Sequence, residues 1–287
     1  MSPDDRPYKN TVAVLATMHG KERAIGPVLD QGLGLRVALA LGLDTDRFGT
    51  FSRDIERTGT QLDAARAKIA AAFDYAPYAR VGLASEGSFG PHPYVPFLAL
   101  DHELVLLVDR ERGLEMAGYF ASPETNYGHA VVSDMEAATA FAERSKFPDH
   151  GLIVMGCVDA EPAPGLALFK DVVDYAALEK AVGQVVAKCG GAFIEADMRA
   201  HRNPTRMRAI ERAASDLVRR FHSTCPACRH PGFDVTERTG LPCEWCGLPT
   251  HVVRTEVLTC LACGYREERL TTSATTADTQ HCESCNP

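Results

Sequence analysis

Three things are scarce in this 287-residue sequence. Long apolar runs are the first. The longest, such as residues 104–108, are strand-sized and far too short to cross a bilayer. The second is positive charge. Thirty Lys and Arg face 38 Asp and Glu, a net charge of -8. Such a chain is no general nucleic-acid binder, because non-specific affinity comes from neutralising phosphates. The third is a basic start followed by an apolar stretch, so the Met-Ser-Pro-Asp-Asp opening does not read as a signal peptide. Together these absences lead us to expect a cytoplasmic protein with no membrane partner.

What the chain does have is cysteine, in one place. Eight of its ten cysteines form four Cys-x-x-Cys pairs: Cys225/Cys228, Cys243/Cys246, Cys260/Cys263 and Cys282/Cys285. Such a turn puts two thiolates on one side of a tight loop, and two turns complete a tetrahedral site. In a reducing compartment the pattern reads as metal, with two structural Zn²⁺ ions, rather than disulfide. Gly247 and Gly264 follow the second and third pairs, where a knuckle turns sharply. So short a stretch with so few apolar residues must draw folding energy from metal. The gaps between pairs are similar, so spacing does not decide the pairing. Sequential pairing, first with second and third with fourth, is our expectation, with a cross-braced arrangement as the alternative. From residue 223 on, five Arg face eight Asp or Glu and there is no Lys. A zinc ribbon of that charge suits a structural or protein-docking role better than phosphate binding. The single Trp, Trp245, lies inside the second knuckle, and we expect it to pack rather than to dock.

Residues 1–222 alternate strand-like and helix-like segments, which predicts an α/β domain with a mixed sheet and flanking helices, followed by a zinc-ribbon module over 223–287. Strands are expected at 11–16, 35–40, 81–84, 104–109, 114–120, 152–155 and 192–195. Helices are expected at 60–73, 134–147 and 175–188. A further helix is signalled by Asn203 as N-cap and Pro204 at the first position. Its apolar residues fall at Met207, Ile210, Ala214, Leu217 and Phe221, with Arg206 among the arginines on the other sides.

Four polar clusters follow strands in this reading. Thr17-Met18-His19-Gly20-Lys21 joins a strand to a helix, a setting that holds phosphate. Glu56 to Thr60 precedes the helix carrying Asp63 and Lys68. Ser85 to Gly90 reads as a Gly-rich turn whose Glu86 suits a metal. Finally, residues 197–206 bring Arg199, Arg202 and Arg206 to a helix N-terminus that favours an anion. The bland reading is that these arginines pair with neighbouring carboxylates.

The order of these motifs resembles the inosine-triphosphatase/Maf-like superfamily of nucleotide pyrophosphatases. Thr17 to Lys21 resembles its phosphate loop; Thr60, Asp63, Ala65 and Lys68 its following helix; Ser85-Glu86-Gly87 its strand-end acidic motif; and Asn203 to Arg206 its late helix start. The loop departs from the pattern in having Met18 and His19 where the superfamily has Asn, and the helix has Ala64 at its Asn position. The resemblance implies a divalent-metal-dependent hydrolase of a nucleotide or other phosphoanhydride. In that reading Glu86, with Asp54, Glu56 or Asp63, holds Mg²⁺. Thr17, His19, Lys21, Lys68, Arg202, Asn203, Thr205 and Arg206 surround the phosphates. Dimerisation is implied by the same analogy. The rival is a non-catalytic phospholigand-binding protein that engages a protein partner through its zinc tail.

Overall fold

The structure is a computed structural model that describes residues 6–45, 59–92 and 95–287. It divides into two compact units, Met1–Val218 and Arg219–Pro287. Among the described residues no helix is long and apolar enough to cross a membrane.

In the first unit, β1 (Thr11–Ala16) is flanked by parallel neighbours β2 (Leu35–Leu39) and β3 (Val81–Pro91). Beyond β3, β4 (Ala99–Asp109) and β5 (Leu114–Ser122) pair antiparallel, giving the order β2-β1-β3-β4-β5. The mixed sheet expected from the sequence is therefore present. Because successive strand residues point to opposite faces, each face has its own cover. On one face Ala84, Leu104 and Leu106 pack with Ala65 and Ile69 of α2 (Gln61–Tyr75). On the other, Gly118 lets the backbone of α5 (Pro204–His222) approach: a Cβ there would strike Ala213 and Leu217. The buried stripe of α5 runs through Ile210, Ala213, Ala214 and Leu217. Arg206 heads that stripe and is buried, contrary to its expected place on an outer side.

One correction matters for function. β3 does not stop at Ala84, so Ser85 to Gly90 is strand rather than turn, and all eleven of its residues pair with β4. β1 ends at Ala16, opposite Ala84, so the β3 edge from Ser85 onward has no backbone partner in β1. Polar side chains persist in this part of β3 because ionic partners meet them.

A second, antiparallel sheet, absent in part from the sequence reading, completes the unit. β6 (His129–Val132), β10 (Ala192–Ala196) and β7 (Leu152–Val158) lie side by side, with β8 (Glu161–Pro162) and β9 (Leu168–Val172) both on β7. Asp134 and Asp174 cap α3 (Met135–Arg144) and α4 (Tyr175–Cys189) by accepting from the backbone N–H three residues on. Both helices bury apolar faces on that sheet, through Phe141, Ala142, Leu178 and Val182 against Leu152, Val154 and Ile194. α1 (Glu22–Leu33) follows β1 directly and ends at Gly34, in the left-handed conformation that a helix stop of this kind requires.

The second unit is a three-stranded antiparallel sheet, β11 (Asp234–Pro242), β12 (Pro249–Thr259) and β13 (Arg266–Leu270). It has few apolar residues to bury, chiefly Phe233 and Leu258 packed with Cys225 and Cys260.

Candidate functional site

The cysteine knuckles lie at the ends of that sheet, and strand direction decides which of them meet. Asp234 at the start of β11 pairs with Thr259 at the end of β12. The knuckle before β11 thus comes beside the knuckle after β12. β13 then runs back along β12, and the following chain bridges at Ala277 to Cys243, beside the knuckle in the β11–β12 hairpin. The result is two tetrads among the described residues: Cys225, Cys228, Cys260 and Cys263, and Cys243, Cys246, Cys282 and Cys285. This overturns the expected sequential pairing in favour of the interleaved one. Equal gap lengths could not reveal it, because the choice is made by strand antiparallelism.

All eight thiols are free of disulfides. Sulfur separations of 3.7 Å (Cys225–Cys263), 3.6 Å (Cys228–Cys260), 3.9 Å (Cys243–Cys285) and 3.6 Å (Cys246–Cys282) match the edge of a tetrahedron of roughly 2.3 Å Zn–S bonds, about 3.8 Å. Knuckle N–H groups favour thiolate. Those of Cys246 and Trp245 bring Cys243 down to about 7, and that of Cys263, against some desolvation, brings Cys260 down to about 6. The donor sets suit structural zinc. Trp245, expected to pack, is instead exposed, as is Leu261 in the third knuckle.

In the first unit the polar residues draw together where β1 stops short. Lys21 is buried, and its Nζ donates to the Ser85 carbonyl at 2.6 Å, on the β3 edge that β1 leaves open. Register and pleat separate the groups around it. Glu86 lies opposite Leu104 and faces α2, where Lys68 pairs with it. Glu103 lies opposite Gly87 and faces α5, where Arg206 Nε donates to its Oε1 at 2.6 Å. Arg206 also donates to the Met198 carbonyl and stacks 5.3 Å above the Phe89 ring. Asp101, two residues before Glu103 on the same face, is 1% exposed, and both of its oxygens lack a hydrogen-bond partner.

The charges shift one another accordingly. Burial first, then Arg206, pushes Lys21 down to about 7, against the pull of Glu86 and Glu103. Burial first, then the Glu103 carboxylate, pushes Asp101 up to about 8, against Arg206 and Lys21. Perturbation of this size occurs at functional sites and in structural ion-pair networks alike.

The remaining sequence candidates are distributed as follows. Asp63 forms a capping box with Thr60 on the exposed first turn of α2, and among the described residues its partners there do not include Lys21 or Arg206. Glu86 is paired with Lys68. Asp54 and Glu56 lie outside the described residues. Thr17 is buried and accepts from the His19 N–H, while the His19 ring stacks on His201 at 5.1 Å. Arg202 pairs with Asp171 at 2.7 Å, a carboxylate distant in sequence, and Arg199 with the neighbouring Asp197 at 2.6 Å and with Asp171. Asn203 accepts from the Arg206 N–H at 3.0 Å as helix cap, and its amide donates to Asn126. Thr205 meets the buried His150 ring at 2.9 Å. A cavity of about 320 Å³ opens alongside, lined by Phe120, Ser122, Thr205, Arg208 and Arg212 among others. Phe120 and Ser122 are the cross-strand partners of Glu103 and Asp101.

Sequence reasoning passed over Asp101 and Glu103. The available signal was period-two acidity, Asp101-x-Glu103, at the start of an otherwise apolar buried strand.

Compared with known proteins, the chain matches one family, described as "Domain of unknown function (DUF6671)", over residues 69–287. The match takes in Glu86, Asp101, Glu103, Arg206 and all eight knuckle cysteines, and begins just after Lys68. No curated protein matches the chain.

Proposed function

The chain belongs to the DUF6671 family, and from that premise we propose that it is a divalent-metal-dependent hydrolase of a phosphoanhydride, in a nucleotide or a related compound, with a zinc module that is structural. The observation that supports this most is the buried meeting of Lys21 and Arg206 with Asp101 and Glu103 at the point where β1 gives out. Anionic phosphoryl transfer requires mainly positioning and charge stabilisation. Arg206 supplies fixed positive charge and Lys21 a buried amine pushed down to about 7, and the adjoining cavity brings the Thr205 hydroxyl, Arg208 and Arg212 beside Glu124 and Glu211. A bound divalent cation would contribute Lewis acidity toward a phosphoryl oxygen. The reaction class agrees with the one implied by resemblance to the inosine-triphosphatase/Maf-like superfamily, although Glu86 has a different part in it: it holds Lys68 in place.

A second reading, capture of a phosphorylated ligand without turnover, has its own support, since Lys68 and Arg206 are both engaged by carboxylates. The zinc module with its exposed Trp245 and Leu261 would then serve a protein partner. Release of phosphate or pyrophosphate from a nucleotide panel, with and without Mg²⁺, separates the two. Hydrolysis predicts Mg²⁺-dependent release, reduced about 100-fold or more in Arg206→Ala. Ligand binding by calorimetry with no release selects the second reading, and neither binding nor release overturns both. Arg206→Ala also leaves Glu103 buried and unpaired, at a cost of about 3–5 kcal/mol. Arg206→Lys, which keeps the charge and loses the fork, is therefore the companion variant.

A further inference from the structure

We propose that Asp101 and Glu103 form the divalent-cation site of this protein, binding one Mg²⁺- or Mn²⁺-class ion on the α5 face of β4. The inference rests on the hydrolase reading for its purpose but not for its evidence. The two carboxylates are two residues apart on one strand, so they project from the same face of the sheet. Both are 1% exposed. Both Asp101 oxygens and Glu103 Oε2 are buried with no hydrogen-bond partner, while Glu103 Oε1 is fixed by Arg206.

A buried carboxylate oxygen with nothing to accept is costly, because it has lost water and gained no partner. Two such groups side by side also repel, and Glu103 does help to push Asp101 up to about 8. Such a pair is relieved by a shared proton or by a cation. Three buried carboxylate oxygens without a hydrogen-bond partner are hard, anionic ligands, the set that Mg²⁺ and Mn²⁺ prefer over softer metals. Mg²⁺ sites are built from one or two carboxylates, the rest of the shell being water and phosphate oxygens. Two protein ligands whose cross-strand partners Ser122 and Phe120 line a cavity shared with Thr205, Arg208, Arg212, Glu124 and Glu211 fit that description. The site differs from the one expected at Glu86, whose carboxylate is spent on Lys68.

The test uses the full-length, zinc-loaded chain titrated with Mn²⁺, following loss of the free-ion paramagnetic resonance signal. Zinc stays on the thiolates, for which Mn²⁺ is a poor competitor. The expected result is one Mn²⁺ per chain, displaced by Mg²⁺. Asp101→Asn should weaken it at least tenfold, while Asp63→Asn, on the exposed α2 turn, leaves it unchanged. Asp101 has no partner to lose, so Asp101→Asn keeps the fold, which a thermal melt verifies. Absence of Mn²⁺ binding by the wild-type chain, or binding untouched by Asp101→Asn, overturns the site. Mn²⁺ binding without phosphate release retires the hydrolase reading and leaves the site standing. Mg²⁺-dependent release that Asp101→Asn leaves untouched does the reverse.

Discussion

Single residues in the first unit owe their behaviour to where β1 ends. Five residues on, Lys21 completes the open edge of β3, and its burial follows from that. The Asp101 carboxyl is held protonated up to about 8 by burial and by Glu103. A raised carboxyl favours the folded state while it is protonated. Its contribution is therefore whole below about pH 4, declines as pH rises, and is gone above about pH 8. Lys21 is shifted the other way, and its contribution changes only between about 7 and 10.5. Between pH 5.5 and 7, then, the wild-type chain should lose stability relative to Asp101→Asn as pH rises. Urea unfolding at several pH values tests this, and parallel curves for the two proteins would contradict it. None of this was legible as a motif. The sequence shows Glu86 between small residues, which reads as an exposed ligand, but Lys68 comes from α2 to meet it. It shows Asp101 and Glu103 just before an apolar run, outside the strand expected at 104–109.

Elements were more legible than sites. Asn203 was legible as a cap and the structure has it, while Thr60, Asp134 and Asp174 also cap, at or next to the expected helix starts. β3 was underestimated because its polar half lacks apolar alternation; pairing with β4 overrides that local signal. The pairing of knuckles lay outside local reading altogether, since it depends on β11 and β13 both running antiparallel to β12. Interleaving has a measurable consequence. Cys228→Ser and Cys263→Ser should each lower zinc from about two to about one per chain, and the double variant should remain near one, because both remove the same centre. Cys228→Ser with Cys246→Ser should bring it near zero. Elemental analysis of the four proteins decides; a double loss in Cys228→Ser/Cys263→Ser would restore sequential pairing.

At the scale of the whole molecule the two units are held together by different physics. The first buries an extended apolar core on both faces of its sheets. The second has a small apolar cluster and depends on its thiolate centres. Chelation should therefore separate them. With EDTA present, calorimetric melting should lose the transition of the second unit and keep that of the first. A single transition that shifts as one with chelator would show that metal stabilises the entire chain. The division into an α/β part and a cysteine-rich part could be read from composition alone, whereas the second antiparallel sheet could not. Its strands β6, β8 and β9 are two to five residues long and carry little periodic signal.

The central claim is that one buried site unites Lys21, Arg206, Asp101 and Glu103 around a metal-bound phosphoanhydride. Its most direct test is a crystal structure of the full-length chain with Mn²⁺ and methylenediphosphonate, a non-hydrolysable phosphoanhydride analogue. The account predicts anomalous density for one Mn²⁺ against Asp101 and Glu103, with the diphosphonate between that ion and the Lys21 and Arg206 side chains. Mn²⁺ and diphosphonate bound away from these four residues, or neither bound at saturating concentration, would contradict it.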